Sequence, residues 1–189
     1  MNENMKENPY NITPRKSVRD TIILAFQEML KEKPFEKISV LELTEVCGVS
    51  RTSFYRHFSD KYDLLIQIYK NQVDEICVTA NPVEKNTLHI MELMAREKKY
   101  FTRALLNDRQ DTLKHYILQR SREYFVFRLE QVCGAGRLSE DQLATIDFVS
   151  AGIQHLWMLW LMGGARESPR VITKRIMDNI PESVRRCCE

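Results

Sequence analysis

The length, composition and charge of the chain exclude several classes of protein before any motif is considered. Its 189 residues are 43% hydrophobic, which is enough for one globular core or for a small domain joined to a larger one. The net charge is only +2, so the chain is neither a polybasic tail nor an acidic solvating segment, and any contact with nucleic acid must depend on local charge.

Cysteine usage and the first residues indicate the compartment. The five cysteines are odd in number and scattered, and no secretory signal pattern follows Met1. We therefore expect a reduced, cytoplasmic protein. Cys187 and Cys188 are adjacent, but they lack the Cys-x-x-Cys spacing that is typical of a redox or metal site.

Helical periodicity dominates the chain after a polar start. Residues 1–12 are expected to form a disordered tail. Thr13 followed by Pro14 provides an N-cap with proline at the first helical position. Apolar residues then recur at three- and four-residue spacing until Pro34, which must end the helix. The expected buried stripe of this first helix consists of Ile22, Ile23, Phe26, Met29 and Leu30.

A short second helix is predicted to end in a tight turn. Ser39, with Glu42 three residues later, forms a capping box at its start, and Gly48 is a typical residue after its last turn. Ser50 can cap the next helix, so the turn between the two helices is only three residues long, from Gly48 to Ser50.

The third helix is predicted to bury one face and expose the other. Phe54 and Phe58 are four residues apart and share the inner face, and Ser59 and Asp60 begin a fourth helix. Two short helices joined by a three-residue turn with glycine are typical of the helix-turn-helix unit, whose second helix fits the major groove of DNA.

The outward residues of the third helix have the chemistry of DNA recognition. Arginine is suited to bidentate hydrogen bonds with guanine, and hydroxyl, imidazole and ammonium groups suit phosphate oxygens. The candidate base-reading residues are Arg51, Thr52, Tyr55 and Arg56. The candidate phosphate contacts are Ser39, Ser50, Ser53, Tyr55, His57 and Lys61. An ordinary helical hairpin with a solvated basic face explains the same periodicity, because these cations are few.

The segment FEKISVLELTEVCGVSRTSFYRHFSDKYDLL resembles the N-terminal DNA-binding domain of the TetR family of transcriptional regulators. The features that carry the resemblance are Ser39, Gly48-Val49-Ser50, Tyr55-Arg56-His57-Phe58, Lys61 and Leu64-Leu65. The resemblance implies base contacts from the same four residues of the third helix and phosphate contacts from the same six residues that were proposed above. Thr52 departs from the family, which often has a very small residue there, and Cys47 stands where alanine is usual. We interpret Cys47 as a small buried hydrophobic residue.

The remainder of the chain is predicted to be a second helical domain. Asn81-Pro82 ends the fourth helix, which connects the two domains, so the expected domains are 13–80 and 81–189. Helices are predicted over 86–106 and 109–131, both rich in aromatic residues. The arrangement more weakly resembles the C-terminal domains of regulators of dihydroxyacetone kinase operons within the same family.

The apolar segment FVSAGIQHLWMLWLMGG lies in the helix predicted after the loop GAGR. Ser139 and Gln142 form its capping box, and the helix runs to Met162. Its apolar part is shorter than the ~20 residues that a bilayer span needs. A helix that is apolar all round is usually buried on two sides, and the second side is often another subunit. We therefore expect a homodimer with a four-helix interface formed by this helix and the last one, over 168–180; the central helix of a monomeric core is the alternative.

Neither an enzyme nor a cofactor site is predicted. The sequence contains no His-Glu-x-x-His motif, no Gly-x-Ser-x-Gly motif and no glycine-rich phosphate loop. The histidines stand alone in the sequence, and a metal sensor built from His89, His115 and His155 is the alternative. An effector pocket is expected among aromatic residues of the second domain, and its candidates are Phe101, Tyr116, Tyr124 and Trp157.

These observations predict an all-α regulator: an N-terminal three-helix helix-turn-helix DNA-binding domain joined through a connecting helix to a C-terminal helical ligand-binding and dimerisation bundle. The expected function is that of a sequence-specific repressor of transcription, which binds a double-stranded DNA operator and is released by a small effector. The alternative is a regulator controlled by a protein partner of the co-activator type. A closed internal cavity of several hundred cubic ångströms lined by aromatic residues would favour a metabolite, and a filled bundle with an exposed apolar patch would favour a protein.

Overall fold

The structure, a computed structural model, describes residues 17–77, 82–106 and 112–186, and within these ranges it contains helices and no strands. The predicted all-α class is therefore confirmed. The helices are α1 Val18–Glu32, α2 Val40–Cys47, α3 Arg51–His57, α4 Lys61–Cys77, α5 Val83–Arg96, α6 Lys98–Leu106, α7 Thr112–Cys133, α8 Glu140–Met162, α9 Pro169–Asp178 and α10 Glu182–Arg185, with a 3-10 turn over Phe35–Lys37 between α1 and α2.

The first helix begins later than the sequence predicted. Ser17 has a non-helical backbone and its hydroxyl oxygen accepts a hydrogen bond from the backbone N–H of Asp20 at 3.2 Å, so α1 begins at Val18. The predicted cap at Thr13 and Pro14 lies outside the described residues. The expected tail over 1–12, Asn81 and the pair Cys187-Cys188 also lie outside them.

The turn between α2 and α3 forms as predicted. Gly48 has a φ of 65°, in the left-handed region that glycine adopts without steric cost. The Ser50 hydroxyl caps α3 by accepting from the backbone N–H of Ser53 at 3.1 Å. Ser39 likewise caps α2, but its predicted capping box is incomplete, because the Glu42 carboxylate pairs with the Lys33 ammonium.

One apolar core runs from the helix-turn-helix unit into the second domain. Phe54 and Phe58 of α3 are buried in it, as the sequence predicted. Each helix from α1 to α9 contributes at least one side chain to this core. The contributions of α4 and α6 connect its helix-turn-helix part with its C-terminal part. The Arg103 guanidinium of α6 donates to the carbonyl of Leu30 at the end of α1, at 3.4 Å. The helix-turn-helix end is therefore attached to the rest of the molecule through both α4 and α6.

The helix predicted over 86–106 is interrupted, which the sequence did not show. It begins earlier, at Val83, and Glu97 leaves the helical conformation with a φ of −98° and a ψ of 31°. No glycine or proline marks the break. Its physical reason is burial: α5 and α6 each have an apolar face, and the change of direction allows Tyr100 and Phe101 to pack into the core beside α1. The full capping box of Ser139 and Gln142 on α8 is present as predicted.

No described helix combines the length and the hydropathy that a membrane span requires. Within the described ranges, no three potential ligands from His, Cys, Asp and Glu lie close enough together to hold a metal ion. The alternative of a metal sensor built from His89, His115 and His155 therefore has no structural support in that part of the chain.

Candidate DNA-binding face and effector cavity

The outer face of α3 presents the four residues that the sequence proposed as base readers. Arg51, Thr52, Tyr55 and Arg56 are all exposed, and Tyr55 is 49% exposed despite its size. They share a face because Phe54 turns the opposite side of the helix into the core. Neither arginine forms an ion pair with the described part of the chain, so both guanidinium groups can meet an incoming anion or base edge.

The candidate phosphate contacts surround this face, and several have structural roles of their own. The hydroxyl oxygens of Ser39 and Ser50 accept the capping hydrogen bonds of α2 and α3, which leaves the Ser39 hydroxyl hydrogen able to donate. Ser53 is half-buried, with its oxygen 3.0 Å from that of Ser50. His57 is half-buried with its ring beside Phe58.

Lys61 has a different environment from the one expected. Its ammonium donates to the backbone carbonyls of Phe35 at 3.1 Å, Ile38 at 3.0 Å and Glu36 at 3.4 Å. It also lies 4.5 Å from the centre of the Phe35 ring, a cation–π distance. An ammonium has three donors, so it can serve several of these carbonyls together. Lys61 thus fastens the start of α4 to the turn between α1 and α2, and a phosphate contact would require it to leave that turn.

We expect Lys61→Ala to lower the free energy of unfolding by about 1.5–3 kcal/mol, the usual contribution of hydrogen bonds made by a charged group. Three backbone carbonyls would lose their shared donor. Chemical denaturation of the variant and the parent protein measures the difference. Lys37→Ala is the matched control, since Lys37 lies in the same turn with an exposed side chain. Unchanged stability with weaker DNA binding would instead identify Lys61 as a phosphate contact.

A cavity of about 820 Å³ lies between α4, α5, α7 and α8. Two of the four aromatic candidates, Tyr124 and Trp157, line it. The other two do not. Phe101 is fully buried against Tyr100 in the core beside α1, because the break at Glu97 redirects α6, and Tyr116 packs edge-on against Tyr69 at 6.0 Å.

The apolar part of the cavity comes mainly from residues that the sequence did not single out. Their common property is an aliphatic, thioether or aromatic side chain on a helix face turned toward the other three helices. They are Val73, Ile90, Met91, Met94, Ile117, Phe125 and Ile153. Cys77 also lines the cavity, and burial raises the pKa of its thiol to about 11, so it stays protonated and poorly nucleophilic near neutral pH. Burial likewise raises the pKa of Cys47 to about 11, which agrees with its interpretation as a small hydrophobic residue.

The polar part of the cavity is a row of side chains four residues apart on α7: Arg120, Tyr124 and Arg128. The Arg120 guanidinium pairs with Asp74 of α4 at 3.2 Å and with Glu123 at 2.7 Å. The Tyr124 hydroxyl oxygen accepts from the buried amide of Asn86 at 3.1 Å and from Arg128 at 3.5 Å. The spacing of four along α7 was the sequence signal that could have revealed this row, because such residues share one helix face.

Helix α8 is buried on one face only. Trp157, Trp160 and Leu161 lie in the core, whereas large apolar side chains on the opposite face are exposed. We call this exposed face the α8 stripe: Phe148, Ala151, Gly152, His155, Leu159 and Met162. Phe148 is 75% exposed, and Leu159 and Met162 are more than half exposed.

Comparison with known proteins agrees with this architecture. Residues 22–68 match the family model described as bacterial regulatory proteins, tetR family, and residues 81–182 match the one described as transcriptional regulator C-terminal region. An uncharacterised HTH-type transcriptional regulator of Haemophilus influenzae is 22% identical over 160 residues, covering 74% of this chain and 78% of that protein.

Two solved structures share the fold at low sequence identity. The dihydroxyacetone kinase operon activator DhaS has a TM-score of 0.65 and 16% identity, with 87% of this chain and 94% of that one covered. A TetR transcriptional regulator from Rhodococcus sp. RHA1 has a TM-score of 0.58 and 18% identity, with 92% and 95% covered. Because the C-terminal family model alone spans more than half of the chain and the N-terminal model covers the helix-turn-helix unit, this protein belongs to the TetR family and is a DNA-binding transcriptional regulator, not an enzyme.

Proposed function

We propose that the protein is a homodimeric repressor that binds a two-fold symmetric operator through α3 and is released when a small molecule enters the cavity. The observation that carries this proposal is the position of α4. Its first residue, Lys61, is tied to the turn before α2, and near its other end Tyr69, Val73 and Asp74 line the cavity. One helix therefore belongs to both the DNA-binding face and the cavity.

Because α4 is long, a small tilt of this helix at the cavity is sufficient to displace the DNA-binding face. Its 17 residues correspond to about 25 Å of helix at 1.5 Å per residue. A tilt of a few degrees at the cavity would shift the other end by an ångström or more. The two recognition helices of a dimer must meet half-sites about 34–36 Å apart, so a change in their separation lowers operator affinity.

The α8 stripe supports the homodimer. An exposed apolar face of this kind is usually covered by another chain, and a two-fold axis lets one helix pack against its own copy. Gly152 and Ala151 lie near the middle of the stripe, where small side chains allow close approach of two helices. We propose that α8 and α9 of each copy form the four-helix interface.

Control by a protein partner is the second candidate, and the α8 stripe is the observation that favours it. A partner protein could cover the same apolar surface that a second copy would. The structural relative DhaS is named an activator, so the direction of regulation needs its own measurement. The cavity favours a metabolite, because about 820 Å³ lies within the range of about 300–1,000 Å³ that small-molecule sites occupy.

Operator selection from genomic fragments tests the DNA-binding part of the proposal. We expect the purified protein to be a dimer by sedimentation, to select a palindromic site, and to lose affinity steeply as salt increases, because phosphate contacts release counterions. A reporter gene under the selected operator then measures the direction of regulation. A protein that stays monomeric at micromolar concentration, or that selects no fragment, contradicts the homodimeric repressor.

A further inference from the structure

We propose that the cavity takes an amphipathic organic anion, and that the anionic group replaces Asp74 as the partner of Arg120. This inference rests on the proposed control by a small molecule, and it adds the chemical class of that molecule and the contact through which it acts on α4.

The cavity has two chemically different parts. Aliphatic, thioether and aromatic side chains on all four helices form the larger part, which suits an apolar body. The polar groups lie mainly on α7, with Asp74, Asn86 and Thr87 on the facing helices α4 and α5. Exposed residues border the opening: Glu123, Phe127 and Gln131. A ligand with one apolar end and one polar end matches this division.

The polar part offers unused hydrogen-bond donors on two residues of α7, Tyr124 and Arg120. The Tyr124 oxygen accepts two hydrogen bonds, while its own hydrogen has no acceptor among the described residues. Burial raises the pKa of this hydroxyl, so it keeps its hydrogen at neutral pH. The Arg120 guanidinium has five N–H groups, and among the described residues it pairs with two, Asp74 and Glu123.

A positively charged ligand fits these groups less well. The carboxylates of Asp74 and Glu123, the two acidic side chains on the cavity surface, already accept from Arg120. An amine that approached them would lie beside the positive charges of Arg120 and Arg128, which also line the cavity. An anion would instead accept from Tyr124 and Arg120 together, which lie one turn apart on the same face of α7.

The Asp74–Arg120 pair is suited to exchange. Its side chains are 34% and 40% exposed, and ion pairs in such surroundings contribute little stability. It joins α4 to α7, so a ligand oxygen that takes its place removes a tie between the connecting helix and the cavity. The displaced Asp74 carboxylate would then face a second negative charge, and their repulsion moves α4 away from α7.

A matched pair of fluorescent probes tests the proposal. The compound 8-anilinonaphthalene-1-sulfonate is an aromatic anion, and N-phenyl-1-naphthylamine is the same molecule without the sulfonate. We expect the sulfonate to bind about tenfold or more tightly than the neutral probe, because hydrogen bonds to a charged group contribute that much. Thr87→Trp, which places a large side chain in the cavity, should abolish binding of both and so exclude the α8 stripe as their site.

Variants assign the contacts. Tyr124→Phe and Arg120→Gln should each weaken the sulfonate about five- to tenfold and leave the neutral probe within about twofold. Asp74→Asn should strengthen sulfonate binding, because it removes the competing carboxylate; a purely structural role for Asp74 would not give tighter binding of the anion alone. Lys70→Gln is the control, since it removes a positive charge from the exposed side of α4, outside the cavity.

The outcomes separate this inference from the proposed function. Equal affinity for the two probes, or weaker sulfonate binding in Asp74→Asn, overturns the anion site. If the neutral probe binds in the cavity and releases operator DNA while the sulfonate does not, release by a small molecule stands and the anion site fails. If the sulfonate follows the expected pattern without any effect on operator affinity, the anion site is supported and the proposed release fails.

Discussion

Phe148→Lys is expected to convert the dimer into a monomer and to lower operator affinity by between about 100- and 10,000-fold. Phe148 is 75% exposed in the single chain and lies in the α8 stripe. In a dimer built on this stripe, the variant would bury an unpaired ammonium, which is costly, whereas burial of the phenyl ring is favourable. Without the second copy, each helix-turn-helix unit must bind its half-site alone and the gain from simultaneous binding of two sites is lost.

Sedimentation and operator titration measure the two consequences of Phe148→Lys separately. Val132→Lys is the matched control, because Val132 is an exposed apolar residue on α7 outside the α8 stripe, with 57% exposure. The control should remain dimeric and keep its operator affinity. If the Phe148→Lys variant is still a dimer, the dimer interface does not include the α8 stripe. If the parent protein is itself a monomer, the α8 stripe is instead the binding surface for a different protein.

Arg56→Ala is expected to weaken binding to the preferred operator by about 1–3 kcal/mol and to relax the base preference at one position of each half-site. Arg56 is exposed on α3 and has no ion-pair partner among the described residues. Such an arginine can form bidentate hydrogen bonds with guanine in the major groove. Binding to random DNA should change much less, because that binding depends on phosphates.

Arg56→Lys separates charge from geometry at the same position. Lysine keeps the positive charge but lacks the planar fork of donors, so we expect it to retain the salt dependence and lose the base preference. Competition titrations with operator and random duplexes at several salt concentrations give both quantities. Equal losses on the two duplexes for both variants would identify Arg56 as a phosphate contact.

The helix-turn-helix unit could be predicted from sequence because its signals are local. The caps of Ser39, Ser50 and Ser139 each join groups three residues apart, and Gly48 is needed at a single backbone conformation. The spacing of Phe54 and Phe58 selects the buried face of α3 and therefore also its exposed face. None of these features depends on where the rest of the chain lies.

The cavity and the role of Lys61 could not be predicted in this way, because they depend on residues far apart in the chain. Lys61 meets a turn 23 to 26 residues earlier, and Arg120 meets Asp74 from 46 residues away. Phe101 does not line the cavity, because α6 changes direction at Glu97 and buries its apolar face against α1. No glycine or proline in the sequence indicates this change of direction. The sequence by itself determined the turn at Gly48, the caps of α2, α3 and α8, and which face of α3 is exposed. Only the tertiary structure decided which side chains line the cavity, since that depends on how four separate helices pack.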